Sequence, residues 1–330
     1  MGSDCCSPTL TVTTVHAHSN FQDFAWEEIG LQSDFSGMVK IPAGEFAMGT
    51  NSALAYPADG ESPQRNVHTN EFWIDEVAVT NAQYSKFVDA TGYRTSAEVE
   101  NWSYVPSFLM SKQDEDSVIG QSSEMPWWVG VKGANWRHPL GPSSTYLEFP
   151  DHPVVHMTWH DAHEYALWSG KRLPTEAEWE KAARGGVEQT LFPWGNELMH
   201  DDKHHCNIWQ GEFPVINVGD DGYLGTAPVY SFEPNGYGLF NVCGNVWEWC
   251  SDGWSDNSQY RNSQNLNFTH QSAANDDTEK VIKGGSFMCH DSYCNRYRLS
   301  ARSSQLMTSP TAHIGFRCVK DSTDKLLSSL

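Results

Sequence analysis

The chain has 330 residues, room for one large domain or two average ones, and its 39% hydrophobic content is enough for a sizeable core, which excludes wholesale disorder. Lys+Arg number 21 against 42 Asp+Glu, and the resulting formal net charge of −21 excludes nucleic acid as a partner, because a phosphate backbone demands basic surface. A cationic peptide, divalent cations or plain solubility all fit this balance. No run of about 18 apolar residues exists, so no membrane span is expected. Residues 1–36 are polar and aperiodic and read as a mobile N-terminal arm in which Cys5-Cys6 is incidental. That arm has neither a basic start nor an apolar stretch, so the chain as given is expected in the cytoplasm; an incomplete N-terminus or a eukaryotic source would instead mean the endoplasmic reticulum lumen.

Residues 38–49, broken by Pro42 and Gly44, read as strand, turn and strand, and Phe72-Trp73-Ile74-Asp75 as a further strand. Thr80 and Gln83 form a capping box opening a helix with Tyr84, Phe87 and Val88 on one face, which stops before Gly92. Residues 95–150 lack periodicity and read as a long loop, functional or packed by its own aromatics. Thr158 opens a second helix ending at Gly170, and Thr175 with Glu178 a third ending at Gly185-Gly186. Residues 187–330 are turn-rich with short strands. The 14 tryptophans suit a core built largely from loops and filled by aromatic packing. No repeat or linker divides the chain, so one domain is expected over 37–322, followed by a tail over 323–330.

Two of the eight cysteines, Cys289 and Cys294, stand five positions apart after Gly284-Gly285-Ser286 and before Arg296-Tyr297-Arg298. A loop can fold such thiols onto each other as a disulfide, a soft-metal site or a nucleophile pair, and spacing does not choose among these. Cys206, Cys243 and Cys250 read as buried thiols. No CxxC pair repeats, which excludes a four-thiolate zinc site. Two further sets of oxygens stand out. One is Asn207-Ile208 with Asp220-Asp221-Gly222-Tyr223; the other is Asn241, Gly244, Val246 and Glu248. Amide, carboxylate and carbonyl oxygens of this kind hold calcium, or the Asn and Asp residues make turns.

The segment Cys289-His290-Asp291-Ser292-Tyr293-Cys294-Asn295-Arg296-Tyr297-Arg298 resembles the active-site motif of the formylglycine-generating enzymes, the sulfatase-modifying factor family. Its Asp291 and Asn295 follow the bacterial form. Arg172 to Glu180, Phe192-Pro193-Trp194-Gly195, Asn235 to Trp249 and Gly315-Phe316-Arg317-Cys318 resemble the family's other hallmarks, and the similarity runs from about Met38 to Val319. The resemblance implies a single α+β domain, similar to C-type lectins, loop-rich and low in regular secondary structure. It implies Cu(I) held by Cys289 and Cys294, with the substrate's cysteine thiolate joining them. Dioxygen and a thiol reductant then convert the cysteine of a Cys-x-Pro-x-Arg segment, in an unfolded sulfatase polypeptide, to Cα-formylglycine. It further implies structural calcium at the two oxygen sets, and a role for Ser286 in lining the oxygen and substrate pocket. His290, Tyr293, Trp127 and His313 are the expected substrate contacts, whereas Arg296 and Arg298 are expected to pair with internal carboxylates. A monomer is expected.

The departures are specific. Animal members carry two structural disulfides where this chain has Ala166 with Cys318 and Ala183 with Leu299, so neither bridge can form. Asp89 stands in place of the usual animal sequon. Residues 305–313 differ from the family loop, and His313 stands where asparagine is common. Non-catalytic relatives lack both cysteines. Sulfoxide synthases of the same fold need a histidine set contributed partly by an extra helical domain, for which residues 1–36 are too short. A structural-cysteine protein without copper is the remaining alternative.

Overall fold

The computed structural model describes Pro8, residues 35–256 and residues 278–322. Cys5-Cys6, nearly all of the expected arm and the whole tail over 323–330 lie outside the described residues. Strands Met38–Ile41 and Gly44–Met48 form as read, but Pro42 and Gly44 turn them onto different partners. Met38–Ile41 pairs with Phe72–Asp75, whose other edge takes Val319–Asp321, so a three-stranded antiparallel sheet joins the two ends of the domain. Gly44–Met48 pairs with Arg65–Thr69. A second sheet runs in the order Arg302–Leu306, Glu279–Lys283, Trp247–Gly253, Ile314–Gly315, the last pairing being parallel.

Among the described residues four α-helices complete the frame: α1 Asn81–Thr91, α2 Ser96–Glu100, α3 Trp159–Trp168 and α4 Glu176–Arg184. Each opens on a reciprocal capping box, at Thr80/Gln83, Thr95/Glu98, Thr158/Asp161 and Thr175/Glu178, which satisfies backbone donors that the first turn leaves unpaired. The stretch over 95–150 is not a plain loop. It holds α2 and a three-stranded sheet of Trp102–Pro106, Trp128–Lys132 and Val118–Gln121. A five-residue helix and strands of four or five residues are too short to print a period.

Aromatic packing holds the loops, as the tryptophan content implies. Tyr84 stacks on Tyr165 at 5.6 Å and meets Trp136 edge-on at 5.3 Å, while Phe316 closes on Tyr165 at 5.4 Å. Trp179, Trp247 and Trp249 are fully buried. Ala166, Ala183, Leu299 and Cys318, at the family's disulfide positions, are all buried in this same core. Helix α4 is pinned by charge. Glu180 lies 3.0 Å from Lys283 and 2.7 Å from Arg184, and it accepts the Gly49 N–H at 2.7 Å.

Burial alone would raise the pKa of Glu180, but Lys283 and Arg184 outweigh it and hold the carboxyl down to about 2. The folded value lies below the unfolded one of about 4.3, so the stability contributed is full above that range and is lost as pH falls toward the folded value. Glu180→Gln leaves two buried cations uncompensated and is expected to cost about 3–5 kcal/mol in urea unfolding at neutral pH. The gap between variant and parent should narrow below about pH 4; a gap independent of pH would contradict this account.

Candidate active site

Cys289 and Cys294 meet in a small cleft with largely aromatic walls. Their sulfurs lie 3.3 Å apart, and both are buried thiols without a disulfide bond. The local backbone explains the meeting. Gly284 and Gly285 take positive φ values of 95° and 75°, and a side chain on Gly285 would start 2.9 Å from Tyr297 Cα, so the chain doubles back tightly there. Hydrogen bonds from Cys289 N to Ser286 O and from Cys294 N to His290 O, at 2.9 and 2.7 Å, then fold the two thiols together. The Ser286 N–H points at Cys289 Sγ from 3.4 Å, a geometry that supports negative charge on that sulfur.

Each cysteine is anchored separately. Cys289 O accepts the Trp209 N–H at 3.0 Å, tying it to the segment around Asn207. On the other side, residues 56–61 grip the chain just after Cys294. Tyr56 Oη accepts the Asn295 N–H at 3.1 Å, and the Tyr56 ring lies 4.3 Å from the Arg296 guanidinium. Arg296 pairs with Asp59 and Arg298 binds Glu61 through two 2.7 Å hydrogen bonds, all four groups being buried. Arg296 and Arg298 therefore meet internal carboxylates, as expected. For Asp59, burial raises the pKa and Arg296 opposes it.

The cleft walls are aromatic. Phe213 stacks on Tyr293 at 4.6 Å, and Trp127 meets both rings edge-on at 5.0 and 5.1 Å. Ser286 and His313 line the cleft as well. The His313 ring lies 4.7 Å from Trp128; burial lowers its pKa to about 3, so it is neutral at ordinary pH, and its Nδ1 has no hydrogen-bond partner. Thus Cys289, Cys294, Ser286, Tyr293, Trp127 and His313 come together. His290 does not join the lining; its Nδ1 turns back to Ser292 Oγ at 2.8 Å and Asp291 at 3.2 Å, because the tight loop offers those partners first. Sequence reasoning did not single out Phe213, Trp128, Trp247 or Met288 as lining residues. Only the Pro126-Trp127-Trp128 run and the Asn235–Trp249 hallmark hinted at two of them. It also missed Tyr56, Asp59 and Glu61, whose partners lie more than 230 residues away.

The oxygen sets lie beside the cleft. Asn207 and Gly244 are bridged in parallel, and a side chain on Gly244 would start 2.2 Å from Asn207 O, so only glycine fits. Asn207 Nδ2 donates to Gly225 O at 2.8 Å, while the buried Asn207 Oδ1 has no partner. Asn241 repeats the pattern: Nδ2 reaches Val229 O at 3.1 Å and Oδ1 has none. Asp221 accepts from Ile208 N, Tyr223 N and Gln210 Nε2, and that Gln210 amide also bonds Ile208 O. Glu248 accepts from Trp179 Nε1 at 2.6 Å and from Arg317 at 2.7 and 2.8 Å. Among the described residues, no group of three or more His, Cys, Asp or Glu side chains is placed to hold a metal. Any cation would therefore depend on the two thiols, or on amide and carbonyl oxygens joined by a single carboxylate.

Comparison with known proteins agrees with this architecture. Residues 27–322 match the family described as "Sulfatase-modifying factor enzyme 1-like domain". A Thermomonospora curvata protein named "Formylglycine-generating enzyme" is 53% identical over 301 residues, covering 91% of this chain and 98% of its own. A Bos taurus protein of the same name is 50% identical over 292 residues, covering 88% and 76%. Among solved structures, PvdO from Pseudomonas aeruginosa superposes with a TM-score of 0.61 at 23% identity, covering 86% of this chain and 94% of its own, a likeness of fold. The chain belongs to the sulfatase-modifying factor family, as a single, loop-rich α+β domain. No helix among the described residues is long and apolar enough to cross a membrane.

Tyr56→Phe removes the acceptor for the Asn295 N–H while leaving both arginine pairs in place. It should lower stability by only about 1 kcal/mol, yet speed native-state alkylation of Cys294, read by peptide mass spectrometry after a short iodoacetamide pulse. Equal alkylation in parent and variant would show that residues 56–61 do not hold Cys294.

Proposed function

We propose that this protein is a sulfatase-maturing oxidase that converts the cysteine of an extended Cys-x-Pro-x-Arg segment to Cα-formylglycine. One observation carries the reading: two unbridged sulfurs 3.3 Å apart at the base of an aromatic cleft, in a chain closely related to proteins named for that reaction. Forming the aldehyde breaks the substrate's Cβ–S bond, releases the sulfur as hydrogen sulfide and removes two electrons from the cysteine; a thiol reductant supplies the other two that dioxygen takes, which accounts for the aldehyde oxygen and one water.

The donor set fits a soft monovalent ion. Two thiols with no third His, Cys, Asp or Glu beside them suit Cu(I) better than zinc or a hard cation. Cys289 and Cys294 would hold it, and Cu(I) there would supply a soft site for the substrate thiolate and a means of activating dioxygen. The chain's own groups do the rest. The Ser286 N–H supports charge on Cys289 Sγ. Trp127, Phe213 and Tyr293 keep water from the thiols and offer flat walls to an extended peptide. His313, neutral and unpartnered at Nδ1, offers a hydrogen bond in the cleft without adding charge.

We further assign calcium to Asn207, Ile208, Asp221 and Tyr223, and to Asn241, Gly244, Val246 and Glu248. The two buried, unpartnered Asn Oδ1 atoms favour this, because an orphaned acceptor costs about 1–3 kcal/mol unless something fills it. A carboxylate has about four acceptor positions, and Glu248 already uses three of them on Trp179 and Arg317, which leaves one for a cation. The role would be to pin loops that have no core of their own.

Incubating the protein with Cu(I), reductant, oxygen and a peptide containing Cys-Thr-Pro-Ser-Arg should yield a peptide aldehyde by mass spectrometry. Cys289→Ser and Cys294→Ser should each abolish it; conversion surviving in either variant would remove that thiol from the chemistry. Chelation of calcium should lower Tm by several degrees, and Asn241→Ala should shrink that shift. A Tm indifferent to chelator would dismiss the calcium assignment.

A further inference from the structure

Five exposed large hydrophobics gather at the mouth of the cleft: Phe108, Val215, Ile216, Val218 and Leu224, each between 38% and 72% exposed. Exposed apolar residues scattered singly need no explanation, but a cluster does. This cluster is continuous with the cleft through ring contacts. Phe108 meets Trp209 at 5.0 Å, Trp209 meets Phe213 at 5.1 Å, and Phe213 is itself a wall of the cleft. Val215 and Ile216 stand on the hairpin that Phe213 opens, where Gly211–Glu212 pairs with Ile216–Asn217. Val218 and Leu224 close its base, with Val218 Cγ1 3.7 Å from the start of any side chain on Gly211 and Leu224 Cδ2 3.0 Å from one on Gly219. The hairpin pairs only with itself among the described residues. Glu212 and Asp220 are exposed on the same segment.

We infer that this apolar apron is a second docking site for the substrate polypeptide, outside the cleft, and that it grips apolar residues flanking the modified cysteine. The inference rests on the proposed function, which makes the substrate an unfolded chain. Such a chain exposes apolar side chains, and the apron offers their complement in its own exposed hydrophobic side chains. Carboxylates at the rim suit a segment that carries an arginine. The cleft selects the reacting cysteine; the apron adds affinity by holding the same chain at a second place.

The test compares two peptides, the bare Cys-Thr-Pro-Ser-Arg core and the same core flanked on both sides by apolar residues, across the parent, the double variant Val215→Ser/Ile216→Ser, and Leu147→Ser as an equally exposed control elsewhere. The flanked-to-bare ratio of kcat/KM should fall about tenfold in the double variant, the worth of roughly one buried aliphatic side chain, and should hold in the control. An unchanged ratio overturns the apron. A flanked peptide with serine in place of cysteine, labelled for fluorescence anisotropy, decides the matter without turnover. Weaker binding to the double variant supports the apron and equal binding overturns it, even if the parent converts neither peptide and the oxidase reading fails. A concentration-dependent dimer in sedimentation that the double variant abolishes would overturn it too, by making the patch a contact between two copies of this chain.

Discussion

Buried arginine–carboxylate pairs are the constraint on which this structure depends. Arg296 meets Asp59, Arg298 meets Glu61, Arg302 meets Glu176 and Arg317 meets Glu248, and every one of these side chains is almost wholly enclosed. The pairs join segments 237, 237, 126 and 69 residues apart. Buried ions are costly to desolvate, so such pairs are a poor source of net stability, but separating either partner leaves a charge stranded in a low dielectric. A chain with short strands and few helices therefore has one tolerable arrangement of these loops. The bidentate geometry of arginine narrows it further, because two parallel hydrogen bonds define an orientation as well as a distance.

The thiol pair inherits its geometry from that network. Cys294 sits immediately before the arginines that residues 56–61 grip, and Cys289 is tied to the Trp209 segment, which continues into the Asn207 oxygens. The short loop brings the sulfurs together, and two anchors from opposite directions hold that loop in place. Arg317 and Trp179 connect the same system to Glu248 and α4. A disturbance in the oxygen sets or in residues 56–61 would reach the thiols through one backbone hydrogen bond on either side.

The cleft and its surroundings divide the work by polarity. The thiols sit among aromatic walls where water is scarce and a sulfur ligand set is favoured over oxygen. The neutral His313 adds no positive charge. The oxygen sets have the opposite chemistry: amides, carboxylates and carbonyls.

Much was legible without coordinates where the signal is local. The capping boxes at Thr80 and Thr175, the helix start at Thr158, the strand at Phe72–Asp75, the aromatic core and the Cys289/Cys294 pair are all written within a few residues of themselves. The family's motifs reinforced them, and Arg296 and Arg298 were rightly read as internal. Residues 95–150 hid a sheet because strands this short print no period. The sequence by itself determined the family, its single loop-rich α+β domain and the cysteine pair that heads the candidate site. Only the tertiary structure decided that Asp59 and Glu61 are the carboxylates those arginines meet, that Phe213 walls the cleft while His290 turns away, and that scattered valines and leucines form one exposed apron. Long-range pairing leaves no trace in local composition. Which buried charge finds which partner, and which apolar residue stays outside, is settled only when every loop must satisfy its polar groups at once.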